Sequence, residues 1–254
     1  MTYQFRGNMR PSGKQAEILY LESIAKGLKI SHEAVEQMIG GKPFNETRRG
    51  WYLMDLGQIM KLLPEPPQRL LDLGCGPGWT SSMFAMSGYE VVGVDICPEM
   101  IELARKGPGS ERVRFETWDY EASLPFGKFD LAVIYDALHH AGDAAAVVRN
   151  VYESLNEGGL LITAEPGKGH SQAESSLYII ELCGTTENDM PFEHQKELLL
   201  AAGFREARQY LRLSELPLEV VSGEAGRARQ AEHFRALDIH TAEQGFTSFV
   251  VGVK

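Results

Sequence analysis

Along the first sixty residues the apolar positions recur every three or four places. Ile18, Leu21, Ile24, Ala25 and Leu28 fall on one face of a helix running from Lys14, and Ser31 reads as the cap of a second helix through Ile39, ended by Gly40 and Gly41. A third amphipathic stretch over residues 51–63 stops at PEPP, residues 64–67, where closely spaced prolines cannot continue a helix. Beyond that point the rhythm changes. Short apolar runs, RLLDLG, YEVVGVD, RVRFETWD, FDLAVIYD and GGLLITAEP, alternate with helical stretches. Continuous apolar strands separated by helices predict a parallel sheet covered on both faces, a doubly wound α/β fold. The polar stretch GKGHSQAESS leads into the apolar SLYIIELCG and reads as an inserted helix or lid near residues 167–192. PFEHQKELLLAAGF reads as a helix ended by Gly203, and FTSFVVGV as a closing strand. The expected organisation is a helical cap over residues 1–66 followed by an α/β domain over residues 67–254.

Composition adjusts this picture only at its edges. A chain of 254 residues, 43% hydrophobic and 24% charged, buries a full core. Its formal charge of -10 repels phosphate backbones, so no broad nucleic-acid footprint is expected, and only Arg48-Arg49 and residues 227–229 offer local basic clusters. Cys75, Cys97 and Cys183 have neither disulfide-framework nor metal-ligand spacing. With no secretory leader and no membrane-length apolar run, a cytoplasmic protein with no membrane partner is expected.

The chemistry concentrates at LLDLGCGPGWTS, residues 70–81. A dinucleotide fingerprint would place its third glycine where Trp79 stands, and no phosphate-binding GxxxxGK[ST] occurs in the chain. Acidic residues end three successive strands: Asp72 the first, Asp95 the second and Asp119 the third. Open α/β sheets bind ligands at these strand ends. A carboxylate at Asp95 suits the two hydroxyls of a ribose diol, Asp119 suits an exocyclic amine, and Trp118 or Ile96 offers an apolar face to a purine.

This order, a strand, DxGxGxG, and acidic ends to strands two and three, resembles the class I S-adenosylmethionine-dependent methyltransferases across residues 67–166. The resemblance implies a Rossmann-like, mostly parallel seven-stranded sheet and S-adenosylmethionine as cofactor. It implies that Asp72 and the turn Gly74, Cys75, Gly76, Pro77 and Gly78 cradle the methionine part, with a β-carbon at Gly74 or Gly76 colliding with the ligand. Asp95 would hold the ribose and Trp118 with Asp119 the adenine, while Ile96, Met100, Tyr120 and Asp136 complete the lining.

Methyl transfer from a sulfonium is an in-line displacement, and a hydroxyl or ammonium acceptor must also lose a proton. Asp136, His139, His140 and Glu165 fall where a base is needed, at the ends of strands four and five, and His139, His140 and Glu165 are the candidate catalytic residues. Packing or loop shaping is the competing reading for the histidines. The four side chains could also hold a divalent cation, as in some catechol and sugar methyltransferases of the family. Mixed positions of this kind arise without metal, and none is expected.

Absent motifs narrow the acceptor. The chain lacks [DN]PP[YFW] after strand four, a cysteine following a proline, and paired glutamates in the loop after strand four, so nucleic-acid bases and protein arginine are disfavoured and a small-molecule oxygen or nitrogen remains. The cap and insertion would form its pocket, with Tyr3, Phe5, Arg6, Arg10, Trp51 and Tyr52 available for an acidic or phenolic acceptor. Trp51 and Tyr52 are also ordinary core positions, and Arg48 and Arg49 ordinary surface ones. A helix-turn-helix over residues 20–41 fails because its second helix carries glutamates and no Arg or Lys. The remaining alternative is a non-catalytic S-adenosylmethionine-binding sensor or regulatory subunit. A homodimer is compatible with the sequence.

Overall fold

The computed structural model describes residues 11–107, 111–212 and 248–254, with Glu224 and Ala228 as single helical positions between the last two segments. The cap contains α1 (Lys14–Ile18), α2 (Tyr20–Leu28) and α3 (His32–Gly40), followed by α4 (Arg49–Leu62). The expected single helix from Lys14 is broken at Leu19, whose backbone (φ -101°, ψ 25°) leaves the helical region. Ser31 caps α3 as anticipated: its side chain accepts a hydrogen bond from the Ala34 N–H at 3.1 Å, satisfying an otherwise unpaired donor.

Next come β1 (Arg69–Leu73), α5 (Trp79–Met86), β2 (Glu90–Asp95), α6 (Pro98–Lys106), β3 (Val113–Thr117), β4 (Phe129–Tyr135), α7 (Ala144–Ser154) and β5 (Leu155–Glu165). The insertion supplies α8 (Glu174–Cys183), and the chain ends with α9 (Phe192–Ala202), β6 (Glu206–Leu211) and β7 (Ser248–Val253). Pro98 opens α6, where its missing N–H costs nothing, and Gly203 closes α9 at φ 110°, as its sequence position implied.

Among the described residues seven strands form one sheet in the order β3-β2-β1-β4-β5-β7-β6, with β7 antiparallel to both neighbours and the other described pairs parallel. Strand order reverses between β1 and β4, so the crevice at their carboxyl ends is the switch point where such sheets bind ligands. Strand β6 had no sequence signal of its own. EARQYL is only half-buried and carries charge, as suits a strand at the sheet edge.

The core lies on both faces of the sheet. One face joins Leu71, Leu73, Ala132 and Ile134 to Val147, Val151 and Leu199 of α7 and α9, and the other joins Leu70, Val91 and Val133 to Phe84 of α5. Leu56, Ile59 and Leu63 enter that second face. The expected boundary at residue 66 therefore separates chain segments and not packing units, because α4 serves as a helix layer of the sheet. The first three helices pack differently: Leu21, Ile24 and Val35 meet Cys97 and Cys183, which brings the cap over the carboxyl end of β2 and against the insertion. No helix among the described residues is long and apolar enough to cross a membrane.

Candidate active site

The glycine turn leaves β1 with φ of 70°, 52° and 79° at Gly74, Gly76 and Gly78, a left-handed conformation that side chains resist. Space distinguishes the three. A β-carbon at Gly74 would lie 2.3 Å from Ala137 Cβ, and one at Gly78 would lie 2.7 Å from Ala104 Cβ and the Phe115 ring. At Gly76 it would meet nothing within 4 Å. Gly74 is thus required by the β4 loop and not, as expected, by a ligand, whereas the bare face of Gly76 opens onto a cavity. Gly78 performs the helix-to-strand packing for which a dinucleotide fold uses the next position.

Asp72 also takes a different place from the one expected. It is buried, and Oδ2 accepts hydrogen bonds from Thr80 Oγ1 at 2.7 Å and Ser81 Oγ at 2.6 Å. The side chain braces the start of α5 from beneath the turn and does not line the cavity. Burial pushes its pKa up to about 6, despite the two hydroxyl donors.

The cavity has a volume of about 310 Å³ and is walled by Gly74, Cys75, Gly76, Pro77, Asp95, Ile96, Met100, Tyr120 and Asp136, all anticipated from sequence, together with Glu17, Tyr20, Ile24, Met38 and Ile39 from the cap. Asp95 anchors it. One carboxylate oxygen accepts the Gly76 N–H at 2.8 Å and the other the Cys97 N–H at 2.9 Å, which ties the glycine turn to the start of α6. Each oxygen keeps a further lone pair for hydroxyls. Tyr120 donates its O–H to the Ala137 carbonyl at 2.9 Å and presents its ring as a wall.

Trp118 and Asp119 lie outside this cavity. The Trp118 indole donates to the Ser123 carbonyl at 3.1 Å and stands edge-on to Phe126, while Asp119 pairs with Lys14 of α1 at 2.8 Å. Lys14 also reaches Glu121 at 2.9 Å. The β3 loop has turned its acid toward the cap instead of toward a purine, leaving Ile96 as the anticipated apolar face in place.

A second cavity of about 450 Å³ adjoins the first, and Tyr20, Asp136 and His140 line both. Its other walls include Arg48, Trp51 and Tyr52 before and within α4, His170, Ser176 and Ile179 from the insertion, and Arg212 after β6. Trp51 is 49% exposed, so it is not a core residue, and Arg48 stacks on its ring at 5.8 Å. Arg212 enters with its charge matched: Asp55 accepts from its guanidinium at 2.9 Å and from the Tyr135 O–H at 2.8 Å. Tyr3, Phe5, Arg6 and Arg10, and residues 227 and 229 of the second basic cluster, lie outside the described residues.

Asp136 sits at the junction of the cavities with φ 55°, a strained backbone for a residue with a side chain. Its carboxylate accepts no hydrogen bond from the described residues. The surrounding protein would raise its pKa, but His139, Lys42, Arg212 and His140 hold it below the ordinary carboxylate value. Glu17 was not singled out in the sequence because it stands on a cap helix far from the glycine turn. Burial raises its pKa to about 7, with Glu187 and Asp95 adding to the rise against a hydrogen bond from the Thr186 N–H.

The catalytic candidates separate by their partners. Glu165 is fully buried and accepts from the backbone N–H groups of Ala137, Leu138 and His139 at 3.1, 2.8 and 3.3 Å and pairs with His139 Nδ1 at 2.7 Å. With four partners around one carboxylate, it holds the turn after β4 and has no free face for a substrate, contrary to its place among the candidate bases. His139 is buried with it. Burial opposes its charge, but Glu165, Asp136 and Glu187 raise its pKa to about 9. His140 has the opposite character: burial and the neighbouring His139 lower its pKa. Its Nδ1 lies 2.7 Å from the Thr186 carbonyl, which can only accept, so the hydrogen resides on Nδ1 and Nε2 keeps its lone pair.

A methyltransferase-domain family model matches residues 71–163, from β1 to β5. This span contains the glycine turn, Asp95, Asp136 and both histidines. The matched span carries the methyltransferase domain of the class I S-adenosylmethionine-dependent methyltransferases. A ubiquinone biosynthesis O-methyltransferase of Xanthomonas campestris pv. campestris (strain B100) is 30% identical over 169 residues, covering 62% of this chain and 66% of that protein. The chain spans 65 to 66% of the length of the first such relatives. Among solved structures, an S-adenosylmethionine-dependent methyltransferase from Mesorhizobium loti superposes with a TM-score of 0.57 at 21% identity, covering 79% of this chain and 98% of that one. Magnesium protoporphyrin IX methyltransferase from Synechocystis PCC 6803, with bound S-adenosylmethionine, gives 0.59 at 15% identity, covering 98% and 100%. At these identities the structural likeness establishes the fold. The methyltransferase's cofactor is S-adenosylmethionine, and the first cavity fits it: bare backbone at Gly76 admits close approach, and Asp95, Glu17 and Asp136 supply carboxylates for a ligand with hydroxyls, an ammonium and a sulfonium.

Proposed function

We propose that this methyltransferase moves the methyl group of S-adenosylmethionine to an oxygen or nitrogen of a small molecule seated in the second cavity. The observation that carries the reading is the shared wall: Tyr20, Asp136 and His140 line both cavities, so a donor in one and an acceptor in the other meet at these side chains. Gly76 and Asp95 hold the cofactor, with Ile96, Met100 and Tyr120 around it. Bound S-adenosylmethionine supplies an electrophilic methyl group and a neutral thioether leaving group. What remains for the protein is to align the acceptor, exclude water and take its proton. His140 Nε2 takes that proton, because the bond from Nδ1 to Thr186 fixes the tautomer that leaves Nε2 basic. His139 and Glu165 position the turn on which His140 rides.

Arg48, Trp51 and Tyr52 in the second cavity favour an acidic or phenolic acceptor, and the O-methyltransferase names of the sequence relatives favour oxygen as the accepting atom. The lining is mixed in charge and drawn from the cap, α4, the turn after β4, the insertion and Arg212, which suits a metabolite better than a nucleic acid. The test is incubation with methyl-labelled S-adenosylmethionine and a size-fractionated cell extract, with Asp95→Ala as control. Label in the low-mass fraction that disappears in the variant supports the reading. Label confined to protein or nucleic acid overturns it, as does no transfer by a protein that binds the cofactor, which would point to a sensor.

A further inference from the structure

The insertion brings to the second cavity two groups that the methyl-transfer reading leaves without a role. His170 lies just after β5 and Glu187 lies ahead of α9, and both approach His139 on the turn after β4. His139, His170 and Glu187 each offer one ligand atom, all within 4.8 Å of one another. Glu187 Oε2 is 2.8 Å from His170 Nε2 and 3.7 Å from His139 Nε2. Donors around a cation at ~2.1 Å stand ~3.0 to 3.4 Å apart in octahedral or tetrahedral array, and the two observed separations bracket that range. Drawing the two imidazoles, whose ligand atoms lie within 4.8 Å of each other, into the same range would complete a coordination shell.

A second observation points the same way. His139 turns Nδ1 to the fully buried Glu165 carboxylate at 2.7 Å, which directs Nε2 at Glu187 and His170. A carboxylate behind a histidine in this manner is how metal-ligating imidazoles are oriented and made more basic.

We propose that His139, His170 and Glu187 form a binding site for a divalent first-row transition-metal cation in the acceptor cavity. Two imidazoles and one carboxylate suit Zn2+, Co2+, Mn2+ or Fe2+ and disfavour Mg2+ and Ca2+, which take all-oxygen shells. This set shares only His139 with the four residues from which the sequence suggested a cation. Three protein ligands leave coordination positions open toward the cavity, and an acceptor oxygen entering one would be held beside His140. That last role rests on the methyl-transfer reading, whereas the site itself does not.

The test uses the full chain, free of any histidine tag and treated with chelator, titrated with Co2+ while visible absorption and bound metal are recorded. The site requires one equivalent bound with a ligand-field band that shows nitrogen ligation. His170→Ala and Glu187→Gln should each weaken binding at least tenfold and lose the band, while S-adenosylmethionine affinity, carried by the other cavity, stays within threefold and shows that the variants are folded. Mg2+ at the same concentration should not compete. Failure of the cofactor-competent wild-type protein to take up one equivalent, or uptake unchanged in both variants, overturns the site. Either result leaves methyl transfer, measured separately with labelled cofactor, untouched.

Discussion

Replacing each glycine of the turn by alanine separates fold from ligand. All three positions have positive φ, so each alanine bears a backbone strain of roughly 1 to 2 kcal/mol. At Gly76 that strain is the whole cost to the unliganded protein, because the new methyl meets nothing within 4 Å. At Gly74 the methyl would lie 2.3 Å from Ala137 Cβ, and at Gly78 it would lie 2.7 Å from Ala104 Cβ, both stubs that cannot rotate away. Overpacking adds about 1 to 3 kcal/mol there. For a chain of this size, Gly76→Ala should lower the melting temperature by about 2 to 6 °C, and Gly74→Ala and Gly78→Ala by clearly more. Affinity should rank differently. The Gly76 methyl projects into the cavity where the cofactor must approach the backbone, so calorimetry well below the melting temperature should show S-adenosylmethionine binding at least tenfold weaker, about 1.4 kcal/mol. A folded Gly76→Ala protein that binds the cofactor within twofold of the wild type would refute the assignment of the glycine turn to the cofactor.

Three further outcomes follow from the same geometry. Asp95→Ala should weaken S-adenosylmethionine by about 1 to 3 kcal/mol, roughly 5- to 150-fold, and also lower apo stability because the Gly76 and Cys97 N–H groups lose their acceptor; unchanged calorimetric affinity counts against the ribose assignment. His140→Ala should cut the methyl-transfer rate about a hundredfold or more with cofactor affinity within threefold, and a rate within threefold of the parent removes His140 as the base. Asp72 tests the electrostatics of the buried turn. Its folded pKa of about 6 lies above the unfolded value of ~3.9, so its contribution is fully present below pH 4 and lost as pH rises through 6. Asp72→Asn should therefore gain on the wild type by on the order of 2 kcal/mol between pH 4 and pH 7 in urea unfolding, and a pH-independent difference would show that Asp72 ionises without penalty.

The parts of the site legible in the sequence are those whose chemistry is local. Gly76 and Asp95 follow their strands directly, and the sheet fixes how those strand ends face the crevice. Trp118 and Asp119 stand at an equally regular position, yet the loop they begin is directed by Lys14, which reaches Asp119 across 105 residues of sequence. Glu165 departs from its sequence pattern for a similar reason: a carboxylate at a strand end looks available until the turn 26 to 28 residues earlier supplies donors to it. The polar run GKGHSQAESS signalled that the insertion was not a plain linker. His170 and Glu187 nevertheless gave no motif, because their meeting depends on how α8 folds back on the cap.

This division bears on what the relatives can say about the acceptor. The family model ends at residue 163, and of the described side chains lining the second cavity only Asp136, His139 and His140 lie within it. Arg48, Trp51 and Tyr52 come from the chain before it, and His170, Ile179, Glu187 and Arg212 from the chain after. The cofactor cavity is mixed in the same sense, since Glu17, Tyr20 and Met38 wall it from the cap. The shared fold supplies the glycine turn and the turn that carries His140, whereas most of the described lining of the second cavity, proposed here to seat the acceptor, comes from segments outside the family match. Exchanging residues of α8 should accordingly change which acceptor is methylated while leaving S-adenosylmethionine affinity in place, because the described lining of the cofactor cavity takes no residue from that helix.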